Sequence, residues 1–179
     1  MRTFPVVLTA LSLVAAAPAP QKPPAHPTKP PAAAENAPKS IGTFGDWQAA
    51  THVEAGQTVC YAFTRAQSST PALPGRGDVV LSVTERSSGR DAVAISAGFP
   101  YAANAAVKVQ VDGVSLDDFY TAQRSAFARD GKVTVAAFIK GSTATARSPG
   151  PKNGEVTDTF SLKGFEAAYS MINKTCPAK

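Results

Sequence analysis

A chain of 179 residues with two cysteines, two histidines and one tryptophan has few routes to covalent chemistry. Cys60 in QTVCYAF and Cys176 near the C-terminus are far too distant in sequence for a C-x-x-C redox or metal motif. A hydrolase would need a nucleophile with a base beside it, yet the body offers one histidine, His52, and no G-x-S-x-G. The run Ala94-Ile95-Ser96-Ala97-Gly98 approaches that pattern but leads into Phe-Pro-Tyr instead of a helix. Phosphate loops, dinucleotide fingerprints and H-E-x-x-H are absent from the sequence. Asp112, Asp117 and Asp118, spaced D-x4-D-D, lack the alternating oxygen ligands and closing glutamate of a helix-loop-helix calcium site. What remains for catalysis is paired carboxylates, Asp117 with Asp118 or Glu85 with Asp91, which could serve a glycan hydrolase only if a fold set them facing each other across a cleft. The expectation is therefore a protein that is not an enzyme, with no catalytic residues, no metal and no cofactor.

Two features could bind a partner. Arg76-Gly77-Asp78 spells a tripeptide that host adhesion receptors recognise, although Gly75 and Gly77 also suit a plain turn before a strand that starts at Asp78. Trp47 is either a core residue at the start of a strand or a ring on which a ligand stacks.

The N-terminus says where this chemistry takes place. Residues 1–17 have a positive Met-Arg start, an apolar run from Phe4 to Val14 and a small-residue exit at Ala15-Ala16-Ala17. That is the layout of a secretory signal peptide, with an apolar segment too short for a permanent membrane span. Cleavage is expected after Ala16, because cleavage after Ala17 would leave Pro18 at the first mature position. From Pro18 to Pro38 the chain holds eight of its fifteen prolines. Such a stretch buries no apolar area and favours an extended polyproline path, so residues 18–40 are read as a spacer reaching roughly 60 Å. In an exported protein the two cysteines are best used as a disulfide. Closing a loop of ~115 residues would stabilise the fold by roughly 4 to 5 kcal/mol.

The folded body is placed at residues 41–179. Its charge is nearly balanced, with 14 Lys+Arg against 12 Asp+Glu from Ile41 onward, so most of the net +5 belongs to the leader and spacer. A nucleic-acid binder would concentrate cations on the face that meets phosphate, and here they are interleaved with carboxylates. The partner expected is thus a protein or envelope component of unknown identity, with no nucleic acid and no integral membrane span in the mature protein.

Period-2 alternation dominates the body. A hairpin is expected from Trp47 to Arg65, with Val59, Tyr61 and Phe63 on one face and Cys60 on the other. A Pro/Gly/Ser loop, Ser68–Gly77, leads into DVVLSVTER, and the turn SSGRD returns into AVAISAGFPY. AVKVQV ends at Asp112-Gly113, a strong hairpin turn, and Ser125–Arg129 can form a short strand. GKVTVAAFIK reads equally as strand or as a short helix with a glycine cap at Gly141. Ser142–Ser148 and EVTDTFSL form a last hairpin around Asn153-Gly154. Phe165, Ala168, Tyr169, Ile172 and Cys176 then fall on one stripe of a closing helix, with Ser161 placed to cap it and Gly164 at a site of close backbone packing.

The pieces FGDWQAA, TVCYAF, RGDVVLSVT, VKVQVDG, SAFARDGKVTVAAFIKGS and TDTFSLKGFEAAYSMINKTCP, in that order, resemble the invasion-associated locus B family of exported alphaproteobacterial proteins. The resemblance covers about Gly42 to Pro177. It implies a mainly β, sandwich-like domain of short antiparallel strands with a C-terminal helix, a second short helix near 131–140, and a cysteine pair at Cys60 and Cys176. It also implies a periplasmic, secreted or surface location, and it supplies no catalytic residues. The long Pro/Ala spacer departs from simpler members. The functional expectation is an exported, non-enzymatic binding or envelope-associated protein, presenting loops such as Ser68–Gly77 and Pro149–Gly154. The alternatives are a surface adhesin contacting host cells and an envelope glycan hydrolase using paired carboxylates.

Overall fold

A computed structural model describes residues 37–151 and 154–178. The expected signal peptide and most of the Pro/Ala spacer lie outside these residues. The described residues belong to one compact unit, Pro31–Lys179.

Alternation in the sequence becomes alternation in burial. In β5 (Val80–Arg86) Leu81, Val83 and Glu85 point inward and Ser82 and Thr84 outward. The same pattern runs through β6 (Gly89–Ser96) and β7 (Ala106–Val111). Every strand pairing is antiparallel, which is what short connections allow. The turn between β2 (Trp47–Glu54) and β3 (Gln57–Arg65) places Ala55 and Gly56 at φ 49° and 77°, and the turn from β7 into β8 (Val114–Ser115) places Asp112 and Gly113 at 47° and 84°. Two successive positive φ values give the turn whose twist matches a two-residue hairpin.

The first layer runs β1 (Lys39–Phe44), β2, β3, β5, β6, β10 (Ser125–Phe127) and β9 (Phe119–Ala122). It passes through β9 to β7, β11 (Thr143–Pro149), β12 (Glu155–Ser161) and β4 (Ser68–Thr70). Because β4 directly follows β3 in the chain, the ladder nearly closes on itself. At the corner the Ala66 amide donates to the Val79 carbonyl at 2.9 Å, and the next amide, Gln67, donates to Thr159 on the opposite layer at 2.8 Å. The result is a β-sandwich-like domain whose third strand crosses between layers.

Helix α1 (Gly131–Lys140) settles the open reading of GKVTVAAFIK in favour of a helix. Asp130 caps it by accepting from the Val133 amide at 2.9 Å. Gly141 has extended backbone instead of the left-handed conformation of a glycine cap, and it is required for space: a Cβ there would sit 2.2 Å from Val111 Cγ1. Helix α2 (Phe165–Thr175) buries Phe165, Ala168 and Ile172 in the same core as Trp47, Cys60, Ala62, Leu81 and Phe138. Ser161 does not cap this helix; it is the last residue of β12, and its hydroxyl accepts from the Lys163 amide at 3.2 Å. Gly164 takes the N-terminal position at φ 90°, where a Cβ would lie 2.0 Å from the Phe44 carbonyl oxygen. The expected close packing at Gly164 is thus a contact between the helix start and the end of β1.

Candidate functional site

Cys176 ends α2 and is bonded to Cys60 on β3, with Cα atoms 6.0 Å apart and 116 positions of sequence between them. The Cys60 side of β3, not the Tyr61 and Phe63 side, faces the core: Cys60 and Ala62 are fully buried. The disulfide therefore clamps the end of the closing helix, where Cys176 is half-buried, to the inner face of an opening strand.

Around this bond lies a polar cluster that the sequence reading did not assemble. Glu85 sits directly opposite Cys60 in cross-strand register and is wholly buried. Its Oε2 is 2.9 Å from Arg90 Nε and accepts from the Asp91 amide at 3.3 Å, while Oε1 has no partner. Arg90 reaches on to the helix, where it donates to the Cys176 carbonyl at 2.8 Å and to Asn173 Oδ1. Asn173 donates to the Tyr169 carbonyl at 3.0 Å, and the Tyr169 hydroxyl donates to Asp91 Oδ1 at 2.6 Å. The β5–β6 hairpin is thus tied to α2 by side chains as well as by the disulfide. Burial pushes the Glu85 carboxyl up to about 7, since it outweighs the lowering by the Asp91 amide and Arg90. Burial and the bond to Asp91 push Tyr169 up to about 12. The sequence signals for the cluster were the carboxylate pair Glu85 and Asp91 and, on the helix, Tyr169 and Asn173 four residues apart, hence on one face.

Glu85 and Asp91, one of the two carboxylate pairs that could have served glycan hydrolysis, do come together. They do so beneath α2, where a fully buried Glu85 has no contact with a sugar in solution. Asp117 and Asp118 are exposed, and Asp112 caps the start of β11 by accepting from the Ser142 and Thr143 amides at 2.9 Å each. Among the described residues no group of three or more His, Cys, Asp or Glu side chains could hold a metal ion. Beside the disulfide, a groove of about 430 Å³ is lined by Thr58, Arg86, Arg90, Cys176 and Pro177. Arg86 is paired with Glu54 at 2.8 Å, and that hydrogen bond holds the Glu54 carboxyl below its usual value.

The tripeptide Arg76-Gly77-Asp78 is split by the fold. Arg76, with its side chain 6% exposed, makes a two-pronged pair with the equally buried Asp158, Nη1 to Oδ1 at 2.7 Å and Nη2 to Oδ2 at 2.8 Å. Its Nε donates to the Ala97 carbonyl at 2.6 Å, and its guanidinium lies 4.9 Å from the centre of the Phe99 ring. Ser69 adds a 2.7 Å bond to Asp158 Oδ1. Asp78 instead points to solvent beside Arg65 at 3.3 Å. An inward arginine and an outward aspartate do not form one recognition surface; Arg76 pins the Ser68–Gly77 loop onto β12. The Pro149–Gly154 loop includes two residues outside the described ones.

Trp47 is fully buried, its ring 4.8 Å from that of Phe165, and its indole N–H donates to the Ser161 carbonyl at 2.9 Å. It is a core residue and offers no face for a ligand to stack on. No described helix is long and apolar enough to cross a membrane.

Comparison with known proteins places this architecture. Nothing among curated proteins matches the chain. A solved structure, the crystal structure of invasion associated protein B from Bartonella henselae, superposes with a TM-score of 0.56 at 20% identity, covering 75% of this chain and 95% of that one. At that identity the likeness is one of fold. The model of the family described as "Invasion associated locus B (IalB) protein" matches residues 47–173. That span runs from the buried Trp47 through the Glu85 cluster to Asn173 on α2, and by it the chain belongs to the invasion associated locus B family.

Proposed function

We propose that the protein is exported and works as a non-catalytic binding module of the cell envelope, periplasmic or at the surface. The Cys60–Cys176 disulfide carries this reading, because a structural disulfide between a core strand and the closing helix persists in oxidising compartments and is rare in the cytosol. The leader and spacer of the sequence supply the route and the tether. Among the described residues the carboxylate pair that the fold brings together, Glu85 with Asp91, has Glu85 wholly buried beneath a helix and Asp91 bonded to that helix through Tyr169. Contact with host cells is a second reading favoured by the family's designation, and it draws no support from Arg76-Gly77-Asp78.

Fractionation of the producing cell, with protease applied to intact cells, tests the location, and pull-down from envelope extracts with the oxidised protein tests the binding role. The expected result is a mature, disulfide-bonded protein outside the cytoplasm that retains an envelope component. A reduced, full-length protein confined to the cytosol would overturn the reading. Surface exposure would bring host contact to the fore; protection in the periplasm would exclude it.

A further inference from the structure

The outward face of the first layer carries a row of side chains in cross-strand register. Phe63 faces Ser82, Ser82 faces Ala94, Ala94 faces Phe127 and Phe127 faces Tyr120. Two residues along, Tyr61 faces Thr84 and Thr84 faces Ala92. Their neighbours Leu81, Val83, Val93, Ile95 and Ala126 fill the core together with the buried residues of both helices, so the row itself faces away from the second layer. At one end Tyr61 and Phe63 stack with ring centres 5.8 Å apart, and His52 meets the Tyr61 edge at 5.4 Å. At the other end Tyr120 and Phe127 stack at 5.5 Å, and Arg129 lies 5.7 Å from the Tyr120 ring centre. Between the two aromatic pairs the floor is made of Ser82, Thr84, Ala92 and Ala94. Phe63 and Phe127 are three strand spacings apart, about 14 Å.

We propose that this trough binds an uncharged oligosaccharide laid across the strands. Charge agrees with it: the floor holds no ionisable group, Arg65 and Arg86 on the β3 and β5 side are paired with Asp78 and Glu54, and Arg129 at the far margin lies against the Tyr120 ring and donates to the Asp118 carbonyl. Shape selects for it as well. A protein partner is held by large anchors at the centre of an interface with a polar rim, whereas here the large rings stand at the margins and the centre is recessed and hydroxyl-bearing. Sugar rings present C–H faces that rest on aromatic rings and hydroxyl edges that bond to groups such as the Ser82 and Thr84 hydroxyls. Ser82 makes only a long bond, 3.4 Å, to the Ala94 carbonyl, which leaves it open to a ligand.

The proposal rests on the envelope-binding reading and names its ligand class, yet the two can fail separately. Calorimetric titration of the oxidised full chain with chitohexaose and with cellohexaose, both neutral, is the test. Binding of at least one is expected, weakened about tenfold or more by Tyr61→Ala and by Phe127→Ala. Ser82→Arg, which fills the trough without touching the core, should abolish it, and Val114→Ser, an exposed site on β8, should leave it unchanged. Failure of both sugars to bind, or binding indifferent to all three face variants, would overturn the proposal. So would self-association lost in those variants, since that would make the face a contact with a second copy. An envelope partner retained equally by the wild type and by Ser82→Arg would refute the trough and leave the binding-module reading standing.

Discussion

Replacing Glu85 by glutamine is expected to leave stability unchanged near pH 4.5 and to increase it at pH 8. The carboxyl ionises near 4.5 in the unfolded chain and at about 7 in the fold, where burial holds its proton on. Below 4.5 both states are protonated and the group does not disfavour folding. As pH rises from 4.5 toward 7 the unfolded chain releases a proton that the folded protein keeps, so stability falls, and above 7 the loss is complete. The gap between 4.5 and about 7, at about 1.4 kcal/mol per pH unit, amounts to about 3 kcal/mol. Glutamine copies the shape and neutrality of the protonated carboxyl and does not titrate. Arg90 would lose the carboxylate but keep the Cys176 carbonyl and Asn173, and it is partly exposed, so water solvates its charge. Urea unfolding of both oxidised proteins from pH 4.5 to 8 gives the difference in stability, in which every other titrating group largely cancels. The difference should start near zero and grow to about 3 kcal/mol in favour of the variant. A variant weaker than the wild type by the same amount at every pH would refute the reasoning, because it would mean that Glu85 is ionised throughout and that its pairing with Arg90 outweighs burial.

Two further outcomes follow from the same structure. Removing the disulfide by Cys60→Ala with Cys176→Ala should cost about 5 kcal/mol, given the 116-residue separation. Urea midpoints of the oxidised wild type and the double variant check this, and equal midpoints would show that the side-chain clasp alone holds α2. Arg76→Ala leaves Asp158 buried without its partner and should cost about 3 to 5 kcal/mol, with Asp158→Ala in the Arg76→Ala background costing much less than Asp158→Ala alone. A loss below about 1 kcal/mol in thermal or urea unfolding would mean that water reaches Asp158 freely.

Much of the fold was legible because it was decided locally. Alternating β-branched and small residues marked strands, Asp112-Gly113 marked its turn, and the stripe from Phe165 to Ile172 marked the closing helix. With two cysteines in the chain, one intramolecular pairing was available. Residues with two uses were not decided this way. Both faces of β3 carry apolar side chains, and only docking of α2 made the Cys60–Ala62 face the inner one and left Tyr61 and Phe63 as a surface stripe. Ser161 had the identity of a helix cap, but it is still paired with Thr143 in the β11–β12 ladder, and the helix begins only after Gly164.

By itself, then, the sequence determined a mainly β body, a closing helix and one cysteine pair, because each depends on neighbours in the chain or on simple counting. Tertiary structure decided what the charged residues do. Arg76 finds Asp158 across 82 positions, and Arg90 finds Asn173 across 83. Whether a charge is buried with a partner or left in water depends on segments that meet only in the fold, and so an apparent recognition tripeptide became a pin and an apparent catalytic pair became a clasp.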